Sequence, residues 1–173
     1  MDGLLIVDMQ EGIHHGDPKH DLHEVVARIH RLAARVRRKG GRVVFIQHEG
    51  PPGDSFAPSS SGWPILPALG RESQDLVVSK TFNDAFYRTS LEATLTRLDI
   101  GRLLVTGWAT DLCVDSTVRS AVARGYRVVV VSDCHTVSDR PHLPAPRVIE
   151  HHQWVWSQLI APHPVAFARE AEL

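Results

Sequence analysis

The sequence has no long apolar run, no block of like charge and almost no cysteine, and each absence removes a class of protein. No stretch approaches the ~20 apolar residues that a membrane helix needs. The N-terminus lacks the charged start and extended apolar segment of a secretory leader. Together these predict a cytoplasmic protein with no membrane partner. With 19 Lys and Arg against 20 Asp and Glu, the formal net charge is −1. No bulk field favours nucleic acid or anionic lipid, and neither is predicted as a partner. The two cysteines, Cys113 and Cys134, are too few for a disulfide framework and read as reduced thiols. At 173 residues, 43% hydrophobic and 23% charged, the chain is expected to form a single domain over 1–173. A domain of that length can bury its core without covalent staples.

What is present alternates. Short apolar bursts change places with helix-period segments, the pattern of a parallel α/β sheet. Leu4-Leu5-Ile6-Val7 is a run suited to a strand covered on both faces, and it ends at Asp8. Leu22, Val25, Val26, Ile29, Leu32, Ala33 and Val36 mark one face of a helix that Gly40-Gly41 stops. A second strand covers 42–47, and a long loop holding several Pro, Gly and Ser runs from about 48 to 74. Loops of that length are often functional. Leu76-Val77-Val78 leads to Lys80, and Thr89 with Glu92 predicts a capping-box helix start. A strand over 102–106 runs into Gly107, a helix follows over about 111–124, and a strand covers 127–131. Val148 to Leu159 gives a last helix, and 164–168 a weak edge strand. The expected fold is a three-layer α/β/α domain with a mainly parallel sheet of about six strands.

Ligands of open parallel sheets bind beyond the carboxyl ends of the strands. By that rule Asp8, Lys80 and Cys113 converge on one edge, although they lie far apart in the chain. Taken singly, each has a plain reading: a strand-end cap, a solvated cation, a small buried hydrophobe. Taken together they make a nucleophile, a base and a cation. Cys113 falls in the first turn of its helix. The unpaired N–H groups there, with Lys80 nearby, predict a thiol of lowered pKa that alkylates ahead of Cys134 below ~pH 8. Asp8 is placed to take the thiol proton and return it to a leaving group. Exchanging it for Asn is expected to cost activity but little stability. N–H groups of Ala109 and Cys113 are candidates for an oxyanion hole.

Several segments, in this order, resemble the isochorismatase-like cysteine hydrolases. They are Leu4-Leu5-Ile6-Val7-Asp8-Met9-Gln10, Val78-Ser79-Lys80 with Ala85-Phe86-Tyr87-Arg88-Thr89-Ser90-Leu91, and Val105-Thr106-Gly107-Trp108-Ala109-Thr110-Asp111-Leu112-Cys113-Val114. Gly125-Tyr126-Arg127-Val128 through Ser132-Asp133 completes the set. The resemblance implies an Isochorismatase-like, Rossmann-like topology and an Asp-Lys-Cys triad at Asp8, Lys80 and Cys113. It also implies a cis peptide between Trp108 and Ala109. Members that keep the cysteine cleave amides, which implies hydrolysis of a small amide or carbamoyl compound through a Cys113 thioester. Nicotinamidase-like members bind a metal through Asp-x-His after the second strand. Here that strand leads into Gln47-His48-Glu49-Gly50, so no metal and no other cofactor is expected. Two rivals stay open: a hydrolase of an ester, imide or ring amide, and a catalytically silent binding protein of the same fold.

Gln10, His48, Trp63, Tyr87 and Trp108 are candidate contacts to a small-molecule substrate, with Trp63 equally able to anchor its loop. Cys134 reads as a packing residue. His14, His15, His20, His23 and His30 lack the spacing of a ligand set and read as solvated. Trp154 and Trp156 stand two apart on the last helix and cannot share one core-facing side. With His151 and His152 they predict an aromatic flank and a homo-oligomer, a dimer or higher.

Overall fold

A computed structural model describes all residues 1–173. The strands are β1 Asp2–Val7, β2 Arg42–His48, β3 Leu76–Lys80, β4 Arg102–Trp108, β5 Arg127–Thr136 and β6 Ala166–Ala168. The helices are α1 Leu22–Arg38, α2 Leu91–Arg97, α3 Asp115–Ala123 and α4 Ala145–Ser157. All six strands are parallel, in the order β3-β2-β1-β4-β5-β6. The chain winds outward from β1 to β3 and then returns to place β4 on the other side of β1. The order therefore reverses between β1 and β4, and the crevice at their carboxyl ends is where such sheets bind ligands.

Residue alternation along each strand feeds two separate cores. Leu4, Ile6, Val43, Phe45, Leu104 and Val129 point to the face covered by α1 through Val25, Ile29, Leu32 and Val36. Leu5, Val7, Val44, Ile46, Val105 and Val130 point to the other face. There Leu91 and Leu95 of α2, Val118 and Val122 of α3 and Trp156 of α4 meet them. Leu4, Leu5, Ile6 and Val7 are 0% exposed, each contributing ~1.5–3 kcal/mol of burial. This two-faced burial is why the first strand is an unbroken aliphatic run.

The structure departs from the sequence expectations in three places. α2 starts at Leu91 with no capping box: the Thr89 hydroxyl donates to Ala85 O at 2.6 Å and accepts from Leu91 N at 3.2 Å, while exposed Glu92 pairs with Arg124. The segment before α3 is a π-helical turn, Thr110–Val114, closed by Val114 N donating to Ala109 O at 3.1 Å. β5 runs five residues past the expected end, because its register against β4 shifts so that Gly107 pairs with His135. As their spacing requires, the two tryptophans of α4 face opposite ways: Trp156 is wholly buried, its Nε1 donating to Asp115 Oδ1 at 2.7 Å, and Trp154 is 63% exposed. No helix is long and apolar enough to cross a membrane.

Candidate active site

β1 and β4 approach so closely at their carboxyl ends that Gly107 admits no side chain. Its φ is +119°, and a Cβ there would stand 2.2 Å from Val7 O. One residue beyond Val7 the chain turns through Asp8, at φ +52°, whose N–H donates to Ile46 O at 2.9 Å. That turn puts the carboxylate into the crevice. From β3, Lys80 reaches across with its side chain fully buried. Its Nζ donates to Asp8 Oδ2 at 2.7 Å, to Phe82 O at 3.0 Å and to Cys113 Sγ at 3.3 Å. Cys113 projects from the π-helical turn. The acid, the cation and the thiol predicted to converge are thus in contact.

The electrostatics of the three groups differ from the sequence expectation. Burial, then the Asp8 charge, push the Cys113 thiol up to about 12, outweighing Lys80. At rest the residue is a thiol, not the thiolate that a helix start and a lysine suggested. Burial also raises the Asp8 carboxyl above its ordinary range, with Lys80 offsetting only part of the effect. Burial works against the Lys80 ammonium, yet the Asp8 charge and the sulfur outweigh it and hold Lys80 above its ordinary value. Asp8 Oδ1 is buried with no hydrogen-bond partner, an acceptor poised for a proton. The arrangement can run general-base attack, in which the proton leaves as the new bond forms.

The turn that carries the thiol is held from three sides. Arg140 grips Asp111 through two bonds of 2.7 Å. α4 holds Asp115 through Trp156. Thr110 Oγ1 meets His135 Nδ1 at 2.9 Å, and Gln153 Nε2, which also donates to Ser132 O, donates to His135 Nε2 at 3.2 Å. That bond leaves the His135 proton on Nδ1. The peptide between Trp108 and Ala109 is cis. Ala109 is buried, and its N–H donates to no acceptor in the protein, which leaves it free for a developing oxyanion.

The remaining candidates divide. Gln10 is 0% exposed and its amide is taken up by the backbone: Nε2 donates to His48 O at 3.0 Å and to Trp63 O at 2.8 Å, and Oε1 accepts from His48 N at 2.8 Å. Its work in the structure is to tie the long loop to β2. The loop is stitched further by Gly12 N to Gly62 O at 2.8 Å and Leu66 N to Met9 O at 3.0 Å. Trp63 anchors that loop through its carbonyl, while its Nε1 is buried without an acceptor. Trp108 Nε1 and His48 Nδ1 are likewise buried and unpaired. Phe56 stacks on Trp108 with centroids 5.7 Å apart and meets His48 at 6.1 Å. Burial keeps His48 below its ordinary pKa. Tyr87 lies on the outer surface, edge-on to Phe82 at 5.1 Å. The five histidines read as solvated, His14, His15, His20, His23 and His30, are exposed. Cys134 is 0% exposed in the α1-side core. Sequence reasoning missed Asn83, His135 and Arg140, because none stands in a motif. Only their placement brings them to the turn.

The model of the Isochorismatase domain matches residues 2–159. The chain belongs to the isochorismatase family. Family relatives include a streptothricin hydrolase of Streptomyces noursei, 35% identical over 82% of this chain and 56% of its own length. A ureidoacrylate amidohydrolase, RutB of Methylobacterium radiotolerans, is 29% identical over 63% of this chain and 54% of its own. The chain spans about half the length of the curated relatives it matches. The crystal structure of an isochorismatase from Pseudomonas putida KT2440 superposes with a TM-score of 0.92, 28% identity and coverage of 99% of this chain and 89% of the other. That agreement extends the family fold over the whole isochorismatase domain described above.

Proposed function

We propose that this isochorismatase-family chain is a cysteine hydrolase of a small amide or carbamoyl compound. The observation that carries the reading is Lys80 Nζ bridging Asp8 Oδ2 at 2.7 Å and Cys113 Sγ at 3.3 Å in a buried crevice. Asp8 removes the thiol proton as Sγ attacks the carbonyl carbon. The carbonyl π pair moves onto oxygen, where the Ala109 N–H, with that of Cys113, receives it. Collapse of the adduct breaks the C–N bond, and Asp8 returns its proton to the departing nitrogen. Water then attacks the thioester with Asp8 again as base, releasing the acid and the free thiol. Lys80 keeps the charge of Asp8 and of the developing thiolate paired throughout. His48, Trp63 and Trp108, each with an unpaired buried nitrogen, are the proposed polar contacts to substrate. A relative named as a ureidoacrylate amidohydrolase supports an amide as the scissile bond.

Self-association belongs to the same reading. Exposed Trp154 lines a shallow surface pocket with Leu143, Arg147, Glu150 and His151, a patch suited to a second copy of the chain. The test of function is a panel of small amides, N-carbamoyl compounds and matched esters. Ammonia release from at least one amide, absent in Cys113→Ala, is expected. Turnover of esters alone would reject the amide assignment, and no turnover at all would favour a binding role.

A further inference from the structure

Of the groups gathered at the Cys113 site, three are buried. The Lys80 and Asp8 side chains are 0% and 2% exposed and Ala109 is buried. Asn83, by contrast, is exposed, and its Oδ1 lies 3.6 Å from Cys113 Sγ. Asn83 is thus an exposed polar side chain within reach of the sulfur. Asn83 is also held in place through its neighbours. The preceding carbonyl, Phe82 O, accepts from Lys80 Nζ at 3.0 Å. On its other side Asp84 Oδ2 accepts from Ser120 Oγ at 2.7 Å and Oδ1 from Phe86 N at 2.8 Å, while Ala85 N donates to Thr117 Oγ1 at 3.2 Å. The segment is pinned to Lys80 at one end and to α3 at the other, with Asn83 between.

We propose that Asn83 is a specificity-determining residue whose carbonyl accepts the N–H of the scissile amide, so that the site selects amides over esters. The inference rests on the hydrolase reading above. In the resting protein the thiol has two acceptors within reach, Asn83 Oδ1 at 3.6 Å and the Asp8 carboxylate. On attack the thiol proton passes to Asp8, the S–C bond forms, and the sulfur no longer offers Oδ1 a donor as the acyl carbon arrives beside it. A bound substrate that displaces water from this acceptor must then supply a donor of its own. An amide nitrogen on that carbon supplies an N–H in replacement, whereas an ester oxygen has none and sets lone pair against lone pair. Holding the N–H also turns the nitrogen's own lone pair toward Asp8. The proton Asp8 carries is then delivered to that lone pair as the C–N bond breaks, and the acyl group stays on sulfur.

The experiment uses the best amide from the panel and the methyl ester of the same acyl group, with kcat/KM measured for wild type, Asn83→Ala and Asn83→Asp. Asn83→Ala should lower the amide-to-ester ratio by ~10-fold, the effect of one neutral hydrogen bond gained in the transition state. Asn83→Asp keeps an acceptor and should hold the ratio within ~2-fold of wild type. It should nonetheless slow both substrates, because its charge opposes loss of the thiol proton. An Asn83→Ala variant that loses amide and ester activity in equal proportion overturns the inference and leaves the hydrolase reading standing. If wild type turns over no amide, the hydrolase reading fails and takes the inference with it.

Discussion

The surroundings of Cys113 and of Cys134 make an instructive pair. Both cysteines lie near the carboxyl ends of neighbouring strands, both are buried, and burial raises both thiols above their ordinary range. Around Cys134, the sulfur sits in the α1-side core with the Asp133 carboxylate at 3.8 Å and that carboxylate's partner Arg28, both partly exposed to solvent. Around Cys113 stand an ammonium, a carboxylate with a free oxygen, an exposed amide and an unpaired backbone N–H. A buried thiol is therefore not a nucleophile because of where it is buried. It becomes a candidate when a proton acceptor and a fixed positive charge are buried with it.

The harshest way to test that contrast is to remove each sulfur. Cys113→Ala should cut turnover by at least ~10³-fold, while Cys134→Ala should leave it within ~2-fold and cost ~1–2 kcal/mol of stability. Steady-state rates and denaturant melts on both variants measure this. A Cys113→Ala protein keeping more than about a tenth of wild-type turnover would erase the distinction.

Asp8→Asn comes next. Turnover should fall by ~10²–10⁴-fold, since Asn cannot accept the thiol proton. The expectation of unchanged stability does not survive the structure. Asp8 and Lys80 form a fully buried pair, and leaving the ammonium uncompensated should cost ~3–5 kcal/mol. Because the Asp8 charge holds the thiol up and Lys80 pulls it down, Cys113 should alkylate faster in this variant than in wild type at the same pH. Slower turnover with a more reactive thiol would separate base catalysis from simple thiolate supply. Near-normal turnover would remove Asp8 from the mechanism.

A gentler comparison leaves both sulfurs in place. With its thiol pushed up to about 12, Cys113 should alkylate slowly at neutral pH, and its rate should climb steadily through pH 8 to 10. Cys134, wholly enclosed, should remain unlabelled while the protein is folded. Mass spectrometry after timed iodoacetamide treatment resolves the two. A plateau for Cys113 near neutral pH would mean a preformed thiolate.

The smallest effect concerns the residue that links the two regions. His135 follows Cys134 in the chain and holds Thr110 on the Cys113 side. Burial, reinforced by His152, pushes its pKa from 6.5 down to about 4. Between those values the unfolded chain binds the proton and the folded one does not, so stability should fall as pH drops from 6.5 toward 4, by ~3 kcal/mol in all. His135→Gln should flatten that slope in thermal melts taken across the window, and an unchanged slope would place the acid sensitivity elsewhere.

Much of this was legible in the sequence. The strand order and its switch point came only with the structure, but the aliphatic run before Asp8 and the stripe of α1 named a parallel sheet, and ligands of such sheets bind beyond the strands' carboxyl ends. The identity of the three converging residues followed from the same rule. What escaped was whatever depends on distant surroundings. The thiol's raised pKa comes from burial by parts of the chain that no motif contains. The extension of β5 comes from a register shift against β4. Thr89 carried a capping signal, yet its hydroxyl was claimed by Ala85 O. Asn83 looked like one more loop residue until Lys80 and α3 were seen to fix its neighbours.

The triad's spacing along the chain has a consequence for assembly. Lys80 is 72 residues from Asp8 and 33 from Cys113, and the three meet only after β1, β3 and β4 have taken their places in one sheet. Parallel pairing across such distances closes large loops before any contact rewards it, so it comes late in folding. No fragment of this chain shorter than residues 8–113 holds all three groups. Turnover at the sulfur therefore reports on the integrity of the whole sheet, whereas a partly folded chain exposes a thiol of ordinary acidity that alkylates faster yet has no partners to turn over substrate.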